Sequence, residues 1–172
     1  MSTPLAVRYR PVTFDAMVGQ RLTAVVLEQM VAQSAVPSGL LFSGPSGTGK
    51  TTAARILAAG LDPDTDTALS TIEIDAASNG GVADMRSLTE SLRYSTGGKW
   101  RVVILDEVHS LTREAFNALL KTLEEPPPGT VFVLVTTEPH KIPETVLSRL
   151  MEFEFRSVSP SEILNRLVYV AT

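Results

Sequence analysis

The chain of 172 residues contains no cysteine. This absence excludes disulfide bridges, thiolate zinc sites and cysteine nucleophiles, and it is compatible with a reducing compartment. No apolar run approaches the roughly 18 residues that a membrane span requires, and the first residues lack the basic and apolar stretches of a secretory signal. We therefore expect a soluble, cytoplasmic protein without a membrane role, in which oxygen atoms hold any bound metal.

Composition and charge narrow the class further. Hydrophobic residues make up 44% of the chain and charged residues 20%, which is typical of one soluble globular domain. With 15 Lys and Arg against 19 Asp and Glu, the formal net charge is -4. The whole chain is therefore no polycation that wraps nucleic acid, and any contact with DNA requires a local basic patch.

Hydrophobic patterning predicts five strands that alternate with helices. The predicted strands are residues 39–43, 71–75, 101–105, 131–135 and 151–155, and the third and fourth are continuously apolar, as central parallel strands are. The predicted helices are residues 22–33, 50–59, 82–94, 113–124, 143–147 and 160–170. This alternation favours right-handed crossovers and an α/β domain with a parallel sheet between helices.

A glycine-rich loop follows the first strand and matches G-x-x-x-x-G-K-[ST] in full. Successive backbone N–H groups of such a loop, together with the helix that follows, bind phosphate oxygens. Lys50 is expected to reach the β and γ phosphates, and the Thr51 hydroxyl to ligate Mg²⁺. The alternative is a glycine-rich turn that carries these residues by chance, but the flanking strand and helix favour nucleotide binding. The predicted contacts are Gly44, Pro45, Ser46, Gly47, Thr48, Gly49, Lys50, Thr51 and Thr52.

Two adjacent carboxylates, Asp106 and Glu107, end the third strand. At the carboxyl edge of a parallel sheet they face the same crevice as the glycine-rich loop. Asp106 is suited to hold Mg²⁺, and Glu107 to orient and deprotonate an attacking water. Alone, two acids after a strand indicate a solvated loop; beside an intact phosphate loop they indicate function. Thr137, at the end of the next strand, is a candidate to contact the water or the γ-phosphate.

Several other residues carry no signal of their own. His109 and His140 lack metal-ligand spacing, and we interpret both as ordinary loop residues. Tyr94 and Trp100 are most simply core or interface aromatics. In isolation, Arg149 is a surface cation.

Taken together, these motifs resemble the AAA+ clamp-loader ATPases, and among them the gamma/tau subunits of bacterial DNA polymerase III. The phosphate loop is widespread, whereas the run from Asn117 to Pro127 and the Ser148-Arg149 pair are much narrower signals. The matching stretches cover nearly the whole chain in the family's order; they are residues 9–20, 44–51, 72–79, 105–109, 116–127 and 136–149.

The resemblance implies an AAA+ nucleotide-binding domain with strand order 5-1-4-3-2 and a helical lid after it. It implies that Thr137 senses the γ-phosphate and that Arg149 is an arginine finger, which acts on ATP bound by the neighbouring subunit. It further implies a ring of clamp-loader subunits that uses ATP to place a sliding clamp on primed-template DNA, gripped by its backbone. The implied base contacts are Arg8, Tyr9, Pro11, Val18 and Gly19.

Two departures from the family pattern qualify the resemblance. The four-cysteine zinc module is absent, so no zinc is expected, and Leu150 stands where a cysteine is usual. We expect residues 1–157 to form the nucleotide-binding domain and residues 158–172 to begin the lid, which is otherwise missing. Without the rest of the lid, this stretch alone should bind nucleotide weakly and hydrolyse it slowly.

Contacts with DNA and the choice among related activities stay open at this point. Arg86, Arg93 and Lys99 are candidates for DNA phosphates, although solvated helix charges explain them more simply. Asn117 and Lys121 lie on the polar side of the helix that follows the acid pair, which suggests that this helix couples DNA to the acids. The alternatives are a non-hydrolysing clamp-loader subunit and a generic AAA+ remodeller or helicase loader.

Overall fold

A five-stranded parallel sheet forms the centre of the domain. The computed structural model describes residues 4–61, 63, 70–94 and 99–171. The strands are β1 (Gly39–Ser43), β2 (Thr71–Asp75), β3 (Arg101–Asp106), β4 (Thr130–Thr136) and β5 (Met151–Glu154). Their order is β2-β3-β4-β1-β5, and every paired strand runs parallel to its neighbour. The predicted order is therefore confirmed.

Burial of the strands follows their position in the sheet. β1 and β4 are buried at every residue, and β3 is buried up to its final residue, Asp106. The edge strands β2 and β5 are only partly buried. A strand covered on both faces needs apolar side chains in both directions, which explains the continuous apolar runs of the central strands.

Helices cover both faces of the sheet. They are α1 (Leu5–Arg8), α2 (Arg21–Ala32), α3 (Lys50–Leu61), α4 (Val82–Ser91), α5 (Arg113–Glu124), α6 (Glu144–Leu147) and α7 (Pro160–Ala171). Three 3-10 turns, Phe14–Ala16, Val108–Ser110 and Pro139–Lys141, connect them. α4 ends at Ser91, three residues before the predicted end at Tyr94. The buried Arg101 guanidinium donates hydrogen bonds to the carbonyls of Ser91 (3.1 Å) and Tyr94 (2.6 Å), at and beyond that end.

Each face of the sheet has its own hydrophobic core. On one face Leu40 and Phe42 of β1 pack with α2 and α3, and on the other Leu41 packs with α4 and α5. Successive strand residues point to opposite faces, so one apolar strand supplies both cores. This double packing fixes the carboxyl edge of the sheet, where the loops after β1, β3 and β4 meet.

α7 differs from the other long helices because none of its described residues is buried. Its exposed apolar side chains are Ile163, Leu164, Leu167, Val168 and Tyr169. The division into residues 1–157 and 158–172 stays a prediction. Turn-rich sequence predicts loops at 35–38, 62–67, 95–98 and 124–129. The loop at 35–38 is present, and so is the one at 124–129 except that Glu124 still belongs to α5, whereas 62, 64–67 and 95–98 lie outside the described residues. None of the described helices is long and apolar enough to cross a membrane.

Candidate nucleotide-binding site

The glycine-rich loop between β1 and α3 uses three glycines in backbone conformations that other residues rarely adopt. Gly44, Gly47 and Gly49 have φ angles of 137°, 76° and 95°. A Cβ atom on Gly44 would lie 2.1 Å from the carbonyl oxygen of Phe155, so the close approach of these two segments also requires glycine. The loop therefore has the curled backbone that the motif predicts.

Lys50 folds back over this loop from the first turn of α3. Its Nζ donates hydrogen bonds to the carbonyl oxygens of Gly44 (2.9 Å) and Pro45 (2.7 Å). Burial lowers the pKa of Lys50, while the nearby Glu107 and Asp106 carboxylates oppose that shift. The structure thus places a partly desolvated cation at the loop, where phosphate oxygens could take over its hydrogen bonds.

Thr51 and Asp106 meet across the crevice. The Thr51 hydroxyl donates a 2.7 Å hydrogen bond to Oδ2 of Asp106. A hydroxyl and a carboxylate are hard oxygen donors of the kind that Mg²⁺ takes, usually together with waters and substrate phosphates. These two residues therefore fit the predicted metal ligands. Among the described residues, no group of three or more His, Cys, Asp or Glu could hold a metal ion by itself.

Glu107 and Thr137 also come together. The Thr137 hydroxyl donates a 3.3 Å hydrogen bond to Oε2 of Glu107. Glu107 has φ 49°, in the left-handed region that non-glycine residues seldom adopt, and its N–H donates to Oδ1 of Asp106 at 2.9 Å. This backbone turn directs the two adjacent carboxylates differently, so that one faces Thr51 and the other faces Thr137.

His109 lies beside the acid pair, a placement that the sequence analysis does not predict. Its side chain is only 15% exposed, and its two ring nitrogens face Thr136, Glu107 and Glu138. The available signal was its position two residues after Glu107. His140, in contrast, is 72% exposed and lies 3.9 Å from Glu138, which agrees better with a loop residue.

Two cavities lie in the region where the base of a nucleotide is expected, and the smaller one adjoins the phosphate loop. One of about 370 Å³ is lined by the loop, Val18 and α7, and another of about 590 Å³ is lined by Val18, Gly19, α2 and α7. Arg166 of α7 lines both cavities and donates a 2.8 Å hydrogen bond to the carbonyl of Tyr9. Of the predicted base contacts, Val18 and Gly19 thus line these cavities directly.

The other predicted base contacts lie in the segment beside these cavities. The Arg8 guanidinium stacks 5.5 Å from the centroid of its neighbour Tyr9. The Tyr9 ring packs edge-on against Tyr169 of α7, with 6.4 Å between centroids, and a contact of Tyr9 with a base stays a prediction. Pro11 is half-buried in the same segment.

Gln20 connects the base region to the phosphate loop. Its Nε2 donates hydrogen bonds to the carbonyls of Arg156 (2.6 Å) and Thr48 (3.4 Å), and its Oε1 accepts from the Arg156 N–H at 3.2 Å. Gln20 is buried, so these bonds satisfy its amide. One side chain therefore ties the segment before α2 to the loop and to the segment before α7.

Arg149 lies away from the phosphate loop. Its guanidinium pairs with Glu124 at the end of α5 and also donates to the Thr145 carbonyl and, at 3.2 Å, to the Ser148 hydroxyl. Because Arg149 is turned to another part of its own domain, it does not complete this chain's own site. That position is compatible with an action on a neighbouring subunit.

The residues considered for DNA contact are exposed. Arg86, Arg93 and Lys99 lie at the surface on or after α4, and Asn117 and Lys121 lie at the surface of α5. Their exposure is compatible with DNA contact and equally with solvated charges.

Fold and site together define a phosphate-loop nucleotide-binding domain of the AAA+ type. The glycine-rich loop follows β1, the acid pair follows β3 and the threonine follows β4, in a parallel sheet of order β2-β3-β4-β1-β5. Comparison with known proteins identifies the family. A family model described as "DNA polymerase III, delta subunit" matches residues 64–159. The chain belongs to this family of AAA+ clamp-loader subunits of DNA polymerase III.

Relatives with curated names agree with this assignment. The chain is 40% identical to "DNA polymerase III subunit tau" of Bacillus subtilis, with 92% of this chain and 32% of that protein aligned. It is 38% identical to the tau subunit of Escherichia coli, over 96% of this chain and 29% of that protein. The chain thus spans about a third of the length of these relatives. The resemblance to gamma/tau subunits is confirmed.

Solved structures show the same fold. A gamma-subunit-related protein of Thermotoga maritima is 28% identical with a TM-score of 0.68, over 81% of this chain and 48% of that one. The Holliday junction branch migration motor RuvB of the same organism has a TM-score of 0.74 at 23% identity, over 95% of this chain and 53% of that one. At that identity RuvB supports the fold alone.

Proposed function

We propose that the chain is the ATP-binding and ATP-hydrolysing domain of a clamp-loader subunit, which works in the cytoplasm in loading a sliding clamp onto primed DNA. One observation carries the proposal. An intact phosphate loop, the Thr51–Asp106 hydrogen bond and the Glu107–Thr137 hydrogen bond occur together in a chain similar to tau subunits. The reaction is the hydrolysis of ATP to ADP and phosphate.

The site residues have different roles in the proposed reaction. The loop N–H groups and Lys50 bind the phosphates, and the Lys50 ammonium exchanges its bonds to Gly44 and Pro45 for phosphate oxygens. Glu107 accepts a proton from the attacking water, whose oxygen bonds to the γ-phosphorus as the bond to the β-phosphate oxygen breaks. Thr137, bonded to Glu107, lies where a hydroxyl can orient that water or sense the γ-phosphate.

Thr51 and Asp106 are the residues that would hold Mg²⁺. A bound Mg²⁺ would supply positive charge that offsets the negative charge of the phosphates. The Thr51 hydroxyl must then turn from donating to Asp106 to offering its lone pair. No zinc is part of the proposal.

Arg149 acts in trans on the nucleotide of a neighbouring subunit. An arginine finger stabilises negative charge on the transferring phosphoryl group, an effect on the order of 10³ to 10⁵ in rate where it has been measured in NTPases. The arginine first has to leave Glu124, its partner in this structure. The proposed partners are other clamp-loader subunits in a ring, the sliding clamp and primed-template DNA, which is bound through its backbone.

The rival function within the family is a subunit that binds clamp and DNA without hydrolysing ATP. Lys50, Thr51, Asp106 and Glu107 argue against this rival, because their contacts match what binding and hydrolysis require. A generic remodeller or helicase loader would share this site but would respond to a protein substrate.

The decisive experiment measures ATP turnover by the full-length subunit assembled with its ring partners. Turnover is compared with and without sliding clamp and primed-template DNA. Strong stimulation by both together supports the clamp-loader function. If turnover is the same with and without clamp and DNA, the chain is an ATPase but the replication role is rejected. If ATP binds but no combination gives turnover, the non-hydrolysing subunit is favoured.

A further inference from the structure

His109 bridges the ends of the two strands that carry the proposed water-activating residues. It lies on the 3-10 turn Val108–Ser110, directly after the acid pair. Its Nδ1 is 2.9 Å from Oγ1 of Thr136 and 3.4 Å from Oε2 of Glu107. Its Nε2 is 3.3 Å from Oε2 of Glu138. The His109 ring thus contacts residues in the loop after β3 and at the end of β4.

The ring is held firmly on the β4 side. Thr136 is fully buried, and its Oγ1 accepts a 3.0 Å hydrogen bond from the N–H of Glu138. The hydrogen bond between this hydroxyl and Nδ1 fixes the ring whichever atom donates. Glu138 is itself fixed by Lys141, whose Nζ donates to Oε2 at 2.8 Å. The His109 side chain, which is 15% exposed, is therefore held rigidly next to the Glu107 carboxylate that the proposed hydrolysis needs.

Glu107 is confined from two sides at the same oxygen. Oε2 accepts from the Thr137 hydroxyl at 3.3 Å and lies 3.4 Å from Nδ1 of His109. The Glu107 side chain is 39% exposed, and besides Thr137 and His109 the Lys50 ammonium also acts on it electrostatically. A long, exposed carboxylate would otherwise lose side-chain entropy each time it met the water. An Nδ1–H directed at Oε2 would limit that freedom in advance.

We propose that His109 is a positioning residue, which holds the Glu107 carboxylate beside Thr137 through the Nδ1 side of its ring. In this role it acts through Glu107. The inference rests on the proposed ATPase function and assigns a role to a side chain outside the phosphate loop and acid pair. Misplacing a catalytic group by about 1 Å costs on the order of 10²-fold in rate.

Three substitutions at this position test the proposal in the assembled full-length complex. His109→Leu removes both ring nitrogens. His109→Asn keeps a polar atom near the position of Nδ1, and His109→Gln keeps one near Nε2. We expect His109→Leu and His109→Gln to lower kcat about 10- to 100-fold with KM and ATP affinity unchanged, and His109→Asn to restore most of the turnover.

The matched control is His140→Leu. His140 approaches the same Glu138 but is 72% exposed and does not contact Glu107, so its removal should leave kcat unchanged. If His109→Leu does not fold, as judged by thermal melting, the comparison of the Asn and Gln variants decides alone. Equal turnover of Asn and Gln variants, or a loss of ATP affinity that parallels the loss of turnover, overturns the proposal.

Failure of this inference can be told apart from failure of the proposed function. If the unmutated complex hydrolyses ATP, Glu107→Gln stops it and His109→Leu does not, then the ATPase stands and the role of His109 is rejected. If the unmutated complex shows no turnover, the proposed function itself is wrong.

Discussion

The Thr51 hydroxyl donates a 2.7 Å hydrogen bond to Oδ2 of Asp106, although their strands are not neighbours in the sheet. Thr51 follows β1 and Asp106 ends β3, with β4 between them. The hydrogen bond therefore spans the carboxyl end of β4. It also marks the place where two oxygen ligands for a divalent cation already lie within hydrogen-bond distance.

This pair predicts different results for two substitutions at Thr51. Thr51→Ser keeps a hydroxyl that can bond Asp106 and ligate Mg²⁺, so nucleotide affinity in Mg²⁺ should stay near that of the unmutated protein. Thr51→Val is nearly isosteric but has no hydroxyl, and we expect at least a tenfold loss of affinity that appears only in the presence of Mg²⁺. Calorimetric titration with and without Mg²⁺ measures both. An equal loss in the two conditions contradicts the metal role.

Lys50 should be essential for binding without being needed for folding. Lys50→Met removes the cation that faces the phosphates, and we expect nucleotide binding to fall below detection while circular dichroism is unchanged. The exposed Lys99→Met is the matched control and should bind normally. Unchanged affinity of Lys50→Met in calorimetry would falsify the assignment of the phosphate site.

The lowered pKa of Lys50 gives a pH dependence with a definite sign. Burial lowers this pKa in the folded state from its ordinary value of 10.5. Between the lowered pKa and 10.5 the unfolded chain binds more protons than the folded one, so this group makes stability rise with pH. Urea unfolding from pH 8 to 10 should show a smaller rise, or a steeper fall, for Lys50→Met than for the unmutated protein. Identical slopes would show that Lys50 keeps its ordinary pKa.

Two glycines of the phosphate loop should respond differently to alanine. A Cβ on Gly44 would meet the Phe155 carbonyl at 2.1 Å, whereas one on Gly47 has no atom within 4 Å. Gly47→Ala bears only the cost of its positive φ, about 1 kcal/mol, while Gly44→Ala must also displace backbone and should cost more than about 3 kcal/mol. Chemical denaturation compares the two, and equal costs would contradict the close approach of Phe155.

Much of the fold and part of the site follow from local sequence signals. The apolar runs of β3 and β4 and the glycine, lysine and threonine of the loop are encoded by neighbouring residues, so pattern and spacing are enough to predict them. The side-chain hydrogen bonds between distant segments could not be predicted in this way. Gln20 and Arg156 lie 136 residues apart, and no periodicity or spacing relates them. His109 reaches Thr136 only because β3 and β4 are adjacent, which a reading of single segments does not reveal.

The ion pair between Arg149 and Glu124 predicts that freeing the arginine raises its activity. Both side chains are partly exposed, 32% for Arg149 and 48% for Glu124, so the pair is worth at most about 1 kcal/mol. Because Arg149 must leave Glu124 before it can act on a neighbour, Glu124→Gln should increase ATP turnover of the assembled ring by up to about fivefold. Arg149→Ala should instead lower it by at least about 10³.

Glu125→Gln provides the matched control for this test. Glu125 is exposed beside Glu124, and no hydrogen bond or ion pair between its side chain and Arg149 is present among the described residues. Turnover is measured with clamp and primed DNA for the single variants and for the Glu124→Gln, Arg149→Ala double variant. If Arg149 is the group that Glu124 restrains, the double variant should be as slow as Arg149→Ala alone. A gain in turnover that survives removal of Arg149 would mean that Glu124 acts through another group.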